Sequence, residues 1–118
     1  MKRIYVCGAY SADNVITVLD NMREGMRLAT RILYAGFSPF CPWADHHFQL
    51  MLRGNERLTV EDYYRYSLAW LEVSDALVVG DWPGCDKSVG TKKEIQMARN
   101  LGIQIFYTPQ SFFDEVTR

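Results

Sequence analysis

The carboxylate of Glu94 and the hydroxyl of Ser88, six residues before it, are spaced in a way that suits glycosyl chemistry. They lie in the segment "GDWPGCDKSVGTKKEIQMA" (80–98), where an apolar run ends at Gly80, a turn-rich loop follows and a helix is predicted from about Gly90. A strand, a loop and a helix N-terminus in this order form a common site for a phosphate or a sugar, because the first N–H groups of a helix have no partner within it. A carboxylate in the first helical turns is what an enzyme that transfers glycosyl groups would place there.

Each of these residues also has an ordinary structural interpretation. Any acid near a helix N-terminus gains about 0.3–1 kcal/mol from the helix dipole, so Glu94 alone does not indicate catalysis. Ser88 and Gly90 are residues that commonly cap and begin a helix. Tyr10, which follows the first apolar run, is equally compatible with a ring packed on the edge of a sheet. The chemical interpretation therefore depends on these residues acting together.

The sequence does not indicate a metal or a cofactor. His46 and His47 are adjacent, so they cannot both face one metal from a regular helix or strand, and no third ligand is evident. Cys7, Cys41 and Cys85 show neither metal-ligand spacing nor a disulfide pattern, which is typical of a reducing compartment. There is no GxGxxG or Walker motif, so the standard modes of dinucleotide and ATP binding are disfavoured.

The composition limits the class of protein. We expect one domain over residues 1–118, with a net charge of −1 that does not favour binding to a nucleic acid polymer. No apolar run approaches the roughly 20 residues that span a membrane. The N-terminal "MKRIYVCGAY" is interrupted too early for a signal peptide and is interpreted as the first strand. These features predict a cytoplasmic protein whose partner is a small molecule.

Strand and helix patterns alternate along the chain. Strands are predicted at 3–8, 37–42, 75–80 and 103–107, and helices at 14–35, 59–73, 90–100 and 109–117, with 43–58 left mainly as a loop with a helical turn or two. This alternation predicts a three-layer α/β sandwich of the flavodoxin or Rossmann type, with a parallel sheet of four or five strands. Ligands of such sheets bind at the carboxyl ends of the strands. The site is therefore expected in the loops "GAYSADN", "PFCPWADHH" and "DWPGCDKSVG".

Three segments together resemble a known family. The segments "CGAYS", "AWLEVSDALVV" and "GDWPGCDKSVGTKKEIQMARNLGIQIF" are similar to the nucleoside 2-deoxyribosyltransferase superfamily. The resemblance is strongest to its small phage and bacterial members and to the nucleoside 5′-monophosphate N-glycosidases. It covers nearly the whole chain, least of all 43–59, and its most specific part is Ser88-x-Gly90-x-x-x-Glu94.

The resemblance assigns a role to each matching residue. It implies that Glu94 is the nucleophile that attacks the anomeric carbon, and that Tyr10 hydrogen-bonds and orients this glutamate. Ser88 falls where the transferases usually carry an aspartate and the monophosphate N-glycosidases carry a serine that contacts the 5′-phosphate. Gly90 would let the backbone approach that group, and Gly8 would let the first loop pass under the sugar.

One position departs from the family pattern. Where many members carry an aspartate implicated in protonating the leaving base, this chain has Ser67. Asp45, Asp62, Asp81 or a histidine of "DHH" remain as alternative acids. Glu94 itself is an unsuitable acid, because a helix N-terminus is expected to lower its pKa and keep it ionised. The aromatic residues proposed to stack on a base are Tyr5, Phe40, Trp43, Phe48 and Trp82, of which Tyr5 and Phe40 are equally compatible with the core.

Three functions follow from these observations. The first is an N-glycosidase acting on a nucleoside 5′-monophosphate, which Ser88 favours. The second is a deoxyribosyltransferase that exchanges bases between nucleosides. The third is a nucleotide-binding module without catalytic activity, which the loss of the acid at Ser67 would explain. The resemblance also implies a homodimer or a larger homo-oligomer.

Overall fold

The structure, a computed structural model, describes residues 1–117 and contains a four-stranded sheet with helices on both faces. The strands are β1 (Arg3–Cys7), β2 (Ser38–Phe40), β3 (Ala76–Val79) and β4 (Gln104–Phe106). The helices are α1 (Val15–Tyr34), α2 (His46–Met51), α3 (Val60–Glu72), α4 (Val89–Leu101) and α5 (Pro109–Val116). Two short 3₁₀ turns, Pro42–Asp45 and Cys85–Lys87, lie in the loops after β2 and β3.

The sheet is parallel throughout and has the strand order β2-β1-β3-β4. This arrangement confirms the predicted α/β sandwich, with four strands rather than five. Alternate residues of β1 and β3 face opposite sides, so Ile4 and Val6 pack against α1 and α5, whereas Tyr5 and Cys7 pack against α3 and α4. Both faces of the two central strands are therefore buried, as expected of a parallel sheet.

Local sequence signals set the ends of the helices. Asn14 caps α1 by accepting a hydrogen bond from the Thr17 N–H. Thr59 and Asp62 form a capping box at the start of α3. Gly102 ends α4 with φ at +72°, a conformation that glycine adopts without strain. Each predicted boundary differs from the structure by no more than about two residues, and α2 supplies the helical turns expected in 43–58.

Trp43 ties the loop after β2 to α1 and to the loop after β1. Its side chain is 1% exposed, and its indole N–H donates to the carbonyl oxygen of Ala9 at 3.0 Å. The indole lies directly on Gly25 of α1, where a Cβ atom would fall inside the ring's van der Waals surface. The absence of a side chain at Gly25 is therefore what allows Trp43 to approach the helix.

We expect Gly25→Ala to lower the free energy of unfolding by roughly 1–2 kcal/mol. Overpacking against a rigid buried ring costs up to about 3 kcal/mol, which exceeds the gain of up to about 1 kcal/mol from replacing a helical glycine by alanine. Gly90→Ala is the matched control, because a Cβ there would meet only ordinary contacts, the nearest with the Tyr64 Oη at 3.6 Å. Urea denaturation of both variants measures the difference. A Gly25→Ala variant as stable as Gly90→Ala would contradict the packing argument.

Within residues 1–117, no helix has the length and apolar character needed to cross a membrane.

Candidate active site

A cavity of about 860 Å³ lies at the carboxyl edge of the sheet. Its wall is built from the ends of β1 and the loop that follows, the 3₁₀ turn after β2, the N-terminal half of α3, and the loop before α4 with the first turns of that helix. The three loops that the sequence analysis selected all contribute to this wall. The volume lies in the range usual for sites that bind small molecules.

Glu94 lies in the second turn of α4 and lines the cavity. Its Oε2 atom is inaccessible to solvent and has no hydrogen-bond partner among the described residues. Burial raises the pKa of this carboxyl from 4.5 to about 7, and the nearby Tyr5 hydroxyl offsets part of the rise. The expected lowering by the helix N-terminus is therefore wrong, because loss of hydration outweighs the dipole at this depth.

Tyr5 of β1, rather than Tyr10, is the tyrosine next to Glu94. Its hydroxyl is buried and makes no hydrogen bond shorter than 3.5 Å, but it faces Glu94 closely enough for the two groups to shift each other's pKa. Burial, followed by the charge of Glu94, raises the pKa of Tyr5. The sequence analysis placed Tyr5 among residues that stack on a base or pack in the core, and its ring does pack against Phe40 with centroids 5.1 Å apart.

Tyr10 lines the same cavity but hydrogen-bonds a different carboxylate. Its hydroxyl donates to Asp45 Oδ1 at 2.9 Å, and its backbone carbonyl accepts from the side-chain amide of Asn21 at 3.0 Å. The Tyr10 hydroxyl therefore makes no direct hydrogen bond to Glu94, and its orientation of that glutamate through a water stays a prediction. The cause is the alternation of side chains in β1, which turns Tyr5 toward the α4 side of the sheet and leaves Tyr10, in the following loop, facing the 3₁₀ turn after β2.

The N-terminus of α4 forms one wall of the cavity. Ser88 is the N-cap, as its structural interpretation requires, and its Oγ accepts from the Thr91 N–H at 3.2 Å. The Thr91 side chain is 2% exposed, lines the cavity, and has an Oγ1 atom without a partner in the described part of the chain. Gly90 and the exposed Lys87 also line this wall. Neither Thr91 nor Lys87 was singled out from the sequence.

The structure shows which of the alternative acids line the cavity. Ser67 of α3 is buried and lines the cavity near Tyr5, at the position where an aspartate was expected. Of the other acids considered, Asp45 lines the cavity, whereas Asp62 serves in the cap of α3 and Asp81 does not contribute to the wall. His46 also lines the cavity.

The two tryptophans differ in their relation to the cavity, which Trp43 lines and Trp82 does not. Trp43 is anchored against α1, and Trp82 lies outside the cavity wall with its ring across the ends of β1 and β3. Trp82 packs over Gly8 and Gly80, and a Cβ at Gly8 would lie 2.5 Å from its ring. The expected stacking of Trp82 on a base is therefore wrong, because its ring is packed over the glycines at the strand ends, whereas Trp43 lines the cavity and its stacking role stays a prediction. Gly8 lines the cavity and also makes room for this ring.

Three tyrosine rings also line the cavity. Tyr10 on the first loop and Tyr63 and Tyr64 on α3 all line the cavity, and Tyr63 donates to the side-chain oxygen of Gln49 at 2.7 Å. Neither α3 tyrosine was predicted from the sequence. Their positions in the first turns of α3 are the signal that could have identified them, because the N-terminus of this helix lies near the carboxyl ends of the strands. In residues 1–117 there is no group of three histidine, cysteine, aspartate or glutamate side chains arranged to hold a metal ion.

Comparison with known proteins gives a family and a fold. Residues 2–109 match the model of a family described as "Domain of unknown function (DUF1937)". No curated protein matches the chain. Four chains of solved structures match, among them the 2-deoxyribosyltransferase from the psychrotolerant bacterium Bacillus psychrosaccharolyticus, with 16% identity and a TM-score of 0.54 over 91% of this chain and 72% of that one. This likeness shows that the protein has the nucleoside 2-deoxyribosyltransferase-like fold.

Proposed function

The chain belongs to the DUF1937 family, and from its cavity we propose that it cleaves the N-glycosidic bond of a nucleoside 5′-monophosphate with Glu94 as the nucleophile. One observation carries the proposal. A single cavity holds a carboxylate oxygen of Glu94 and a hydroxyl of Thr91 that are both buried and without partners. Buried polar atoms without partners are costly, so their presence in a cavity supports a ligand that supplies the missing hydrogen bonds.

The N-terminus of α4 is the proposed phosphate subsite. The N–H groups of Val89 and Gly90 belong to the first turn of the helix, where they have no acceptor within it. With the Thr91 hydroxyl and the Lys87 ammonium group on the same wall, these donors match a phosphate group. The rim near the start of α1 instead carries Asp13, whose charge disfavours a phosphate there. The glycine at position 90 has no packing requirement, which is consistent with a role in leaving the wall open.

Glu94 lies one turn further along α4, where the sugar of a nucleotide held by its phosphate would be. Cleavage of an N-glycosidic bond develops positive charge at C1′, and a carboxylate with little hydration stabilises this charge or bonds to the carbon directly. With a pKa of about 7, roughly half of the Glu94 carboxyls are ionised at neutral pH. The developing positive charge of the sugar further favours the ionised form. The Tyr5 hydroxyl faces the carboxylate from β1 and is placed to orient it.

Transfer of the sugar to a second base is the other function that an observation favours. The solved structure that shares this fold is described as a 2-deoxyribosyltransferase. Both reactions use the same first step, and they differ in whether water or an acceptor base then attacks the glycosyl-enzyme. A binding module without activity would keep the phosphate subsite and release no base.

Base release from a panel of substrates tests the proposal. The panel consists of the adenine, guanine, cytosine and uracil ribonucleosides, their 2′-deoxy forms and the corresponding 5′-monophosphates, each with and without a free acceptor base. We expect release from a monophosphate in the absence of an acceptor. If the base is released only from free nucleosides and only when an acceptor base is present, the reaction is transfer of the sugar and not hydrolysis. Binding of a substrate without release of its base would indicate a nucleotide-binding module without catalytic activity.

We expect Ser88→Ala to weaken binding of the cleaved monophosphate by about 1–2 kcal/mol, as for the loss of a charge-assisted hydrogen bond, with little change for the free nucleoside. Loss of the N-cap should also lower the stability of the fold by about 1 kcal/mol. Thr108→Ala is the matched control, because Thr108 caps α5 in the same way, accepting from the Ser111 N–H at 3.1 Å, and does not line the cavity.

Calorimetric titration with the monophosphate and the nucleoside separates the two effects. Thr108→Ala should lose a similar amount of stability and no affinity. An equal loss of affinity for nucleoside and monophosphate in Ser88→Ala would contradict the phosphate subsite and favour the transferase.

A further inference from the structure

We propose that Asp45, held by Tyr10, is the general acid that protonates the departing base, a role that the serine at residue 67 is unable to fill. The assignment rests on the proposed function, since it supplies the second group which that reaction requires. Departure of a nucleobase as an anion is slow, so a proton must reach it as the glycosidic bond breaks. Asp45 is a catalytic residue in this scheme, and Tyr10 is a positioning residue that acts through it.

Asp45 is held in position by the packing of the 3₁₀ turn to which it belongs. It ends the 3₁₀ turn Pro42–Asp45, and Trp43 within that turn is clamped between Gly25 of α1 and the Ala9 carbonyl oxygen. The same loop after β1 carries Tyr10, whose ring stacks on Trp43 with centroids 6.4 Å apart. One anchored side chain therefore positions both members of the Tyr10–Asp45 pair, which is the precision that a proton-transfer group needs.

The hydrogen bond leaves one carboxyl oxygen of Asp45 for a ligand. The Tyr10 hydroxyl donates to Oδ1, so a proton on the carboxyl belongs on Oδ2. Burial raises the pKa of Asp45, while the Tyr10 hydrogen bond and the charge of His46 offset part of that rise. The other ionisable groups that sense its charge are Cys41, Tyr63 and Tyr66, from the preceding loop and from α3.

Glu94 and Asp45 are suited to separate roles. Both line the cavity, and burial is the main cause of the raised pKa in each. Asp62 is committed to the cap of α3 and Asp81 is outside the wall, so Asp45 is the remaining carboxylic acid among the candidates from the sequence, beside His46 in the same wall.

The reaction then balances in two steps. In the first, the Glu94 carboxylate bonds to C1′, the C1′–N bond breaks with its electron pair moving to the base nitrogen, and the Asp45 proton moves to the base. In the second, the Asp45 carboxylate takes a proton from water as the water oxygen bonds to C1′ and the Glu94 carboxylate is released. The sum is nucleotide plus water giving base plus ribose 5-phosphate, with both carboxyl groups restored.

The test compares two leaving groups in the same variants. One substrate is the monophosphate of the panel that the unmodified protein cleaves fastest, and the other is 4-nitrophenyl β-ribofuranoside 5-phosphate, whose 4-nitrophenolate departs without a proton. Release is measured in a single turnover, before the water step in which Asp45 also acts, and there we expect Asp45→Asn to slow release of the base by about 10²–10⁴-fold and release of 4-nitrophenolate by less than 10-fold. Tyr10→Phe should show the same preference with a smaller loss, and Asp81→Asn should cleave both substrates like the unmodified protein. Glu94→Gln should lose both reactions.

The outcomes separate the acid from the nucleophile. Near-normal release of 4-nitrophenolate shows that Asp45→Asn is folded, so a selective loss of base release supports the assignment. An equal loss of both substrates in a folded Asp45→Asn, as judged by circular dichroism, overturns it, as does no loss of either. If Asp45→Asn does not fold, an absence of leaving-group preference in Tyr10→Phe overturns the assignment. An unmodified protein that releases neither group overturns the proposed function, and the role of Asp45 with it.

Discussion

Glu94→Gln is expected to reduce turnover of the cleaved monophosphate by roughly 10³-fold or more, which corresponds to about 4 kcal/mol of transition-state stabilisation. The amide keeps the size of the side chain and cannot form a stable ester with C1′ or balance the charge of the oxocarbenium-like state. Affinity for the substrate should change much less, because the carboxylate acts mainly in the transition state. Single-turnover measurement of base release, together with calorimetric titration of the same nucleotide, gives both quantities.

The control for this substitution is Glu24→Gln. Glu24 is exposed in the middle of α1 and does not line the cavity, so its substitution makes the same change in net charge without touching the site. We expect it to be fully active. A Glu94→Gln variant that retained full activity would remove the glycosidic mechanism altogether, whereas equal losses of affinity and turnover would indicate a binding role for this carboxylate.

The fold could be predicted from the sequence because each signal was local and repeated. Buried apolar runs such as 76–79 alternate with helices whose ends are specified by single residues, among them Asn14, Thr59 and Gly102. Parallel pairing then follows from the alternation, and the rule that ligands bind at the carboxyl ends of the strands places the cavity. None of these steps needs the position of a distant side chain.

The details of the site depended on contacts that are distant in sequence. Tyr5 and Tyr10 are both tyrosines near the end of the first strand, and only the three-dimensional packing decides that Tyr5 meets Glu94 while Tyr10 meets Asp45, 35 residues away. The Trp82 ring packs over glycines that follow two different strands, a requirement that no local pattern expresses. The part that could not be predicted is therefore the choice of partner among similar side chains.

The direction of the Glu94 pKa shift was mispredicted for the same reason. Its position in α4 gives the helix dipole, which lowers the pKa by a local effect, but the burial that raises it comes from β1 and α3 closing over the carboxyl. The dipole contributes up to about 1 kcal/mol at a helix end, and loss of hydration of a buried carboxylate contributes several times more. The larger effect was the one that required the structure.

This raised pKa predicts that the contribution of Glu94 to the stability of the protein falls as the pH rises. The folded protein holds a proton on Glu94 up to about pH 7, whereas the unfolded chain releases it near pH 4.5. Between these values the folded state binds more protons than the unfolded state, so the free energy of unfolding decreases with pH. The full contribution of the protonated carboxyl is present below about pH 4.5 and is lost as the pH passes through about 7.

Glu94→Gln should therefore be more stable than the unmodified protein at pH 8, by about 3 kcal/mol, and no more stable at pH 4. The amide resembles the protonated carboxyl and does not ionise, so the difference should develop between pH 4.5 and 7. Urea denaturation at a series of pH values measures it, with Glu24→Gln as the control that should parallel the unmodified protein throughout. A constant difference across the pH range would show that the carboxyl titrates normally in the folded state. The expected result would mean that Glu94, the proposed nucleophile, lowers the stability of the folded protein at neutral pH. Such a cost in stability is typical of residues that are kept for function.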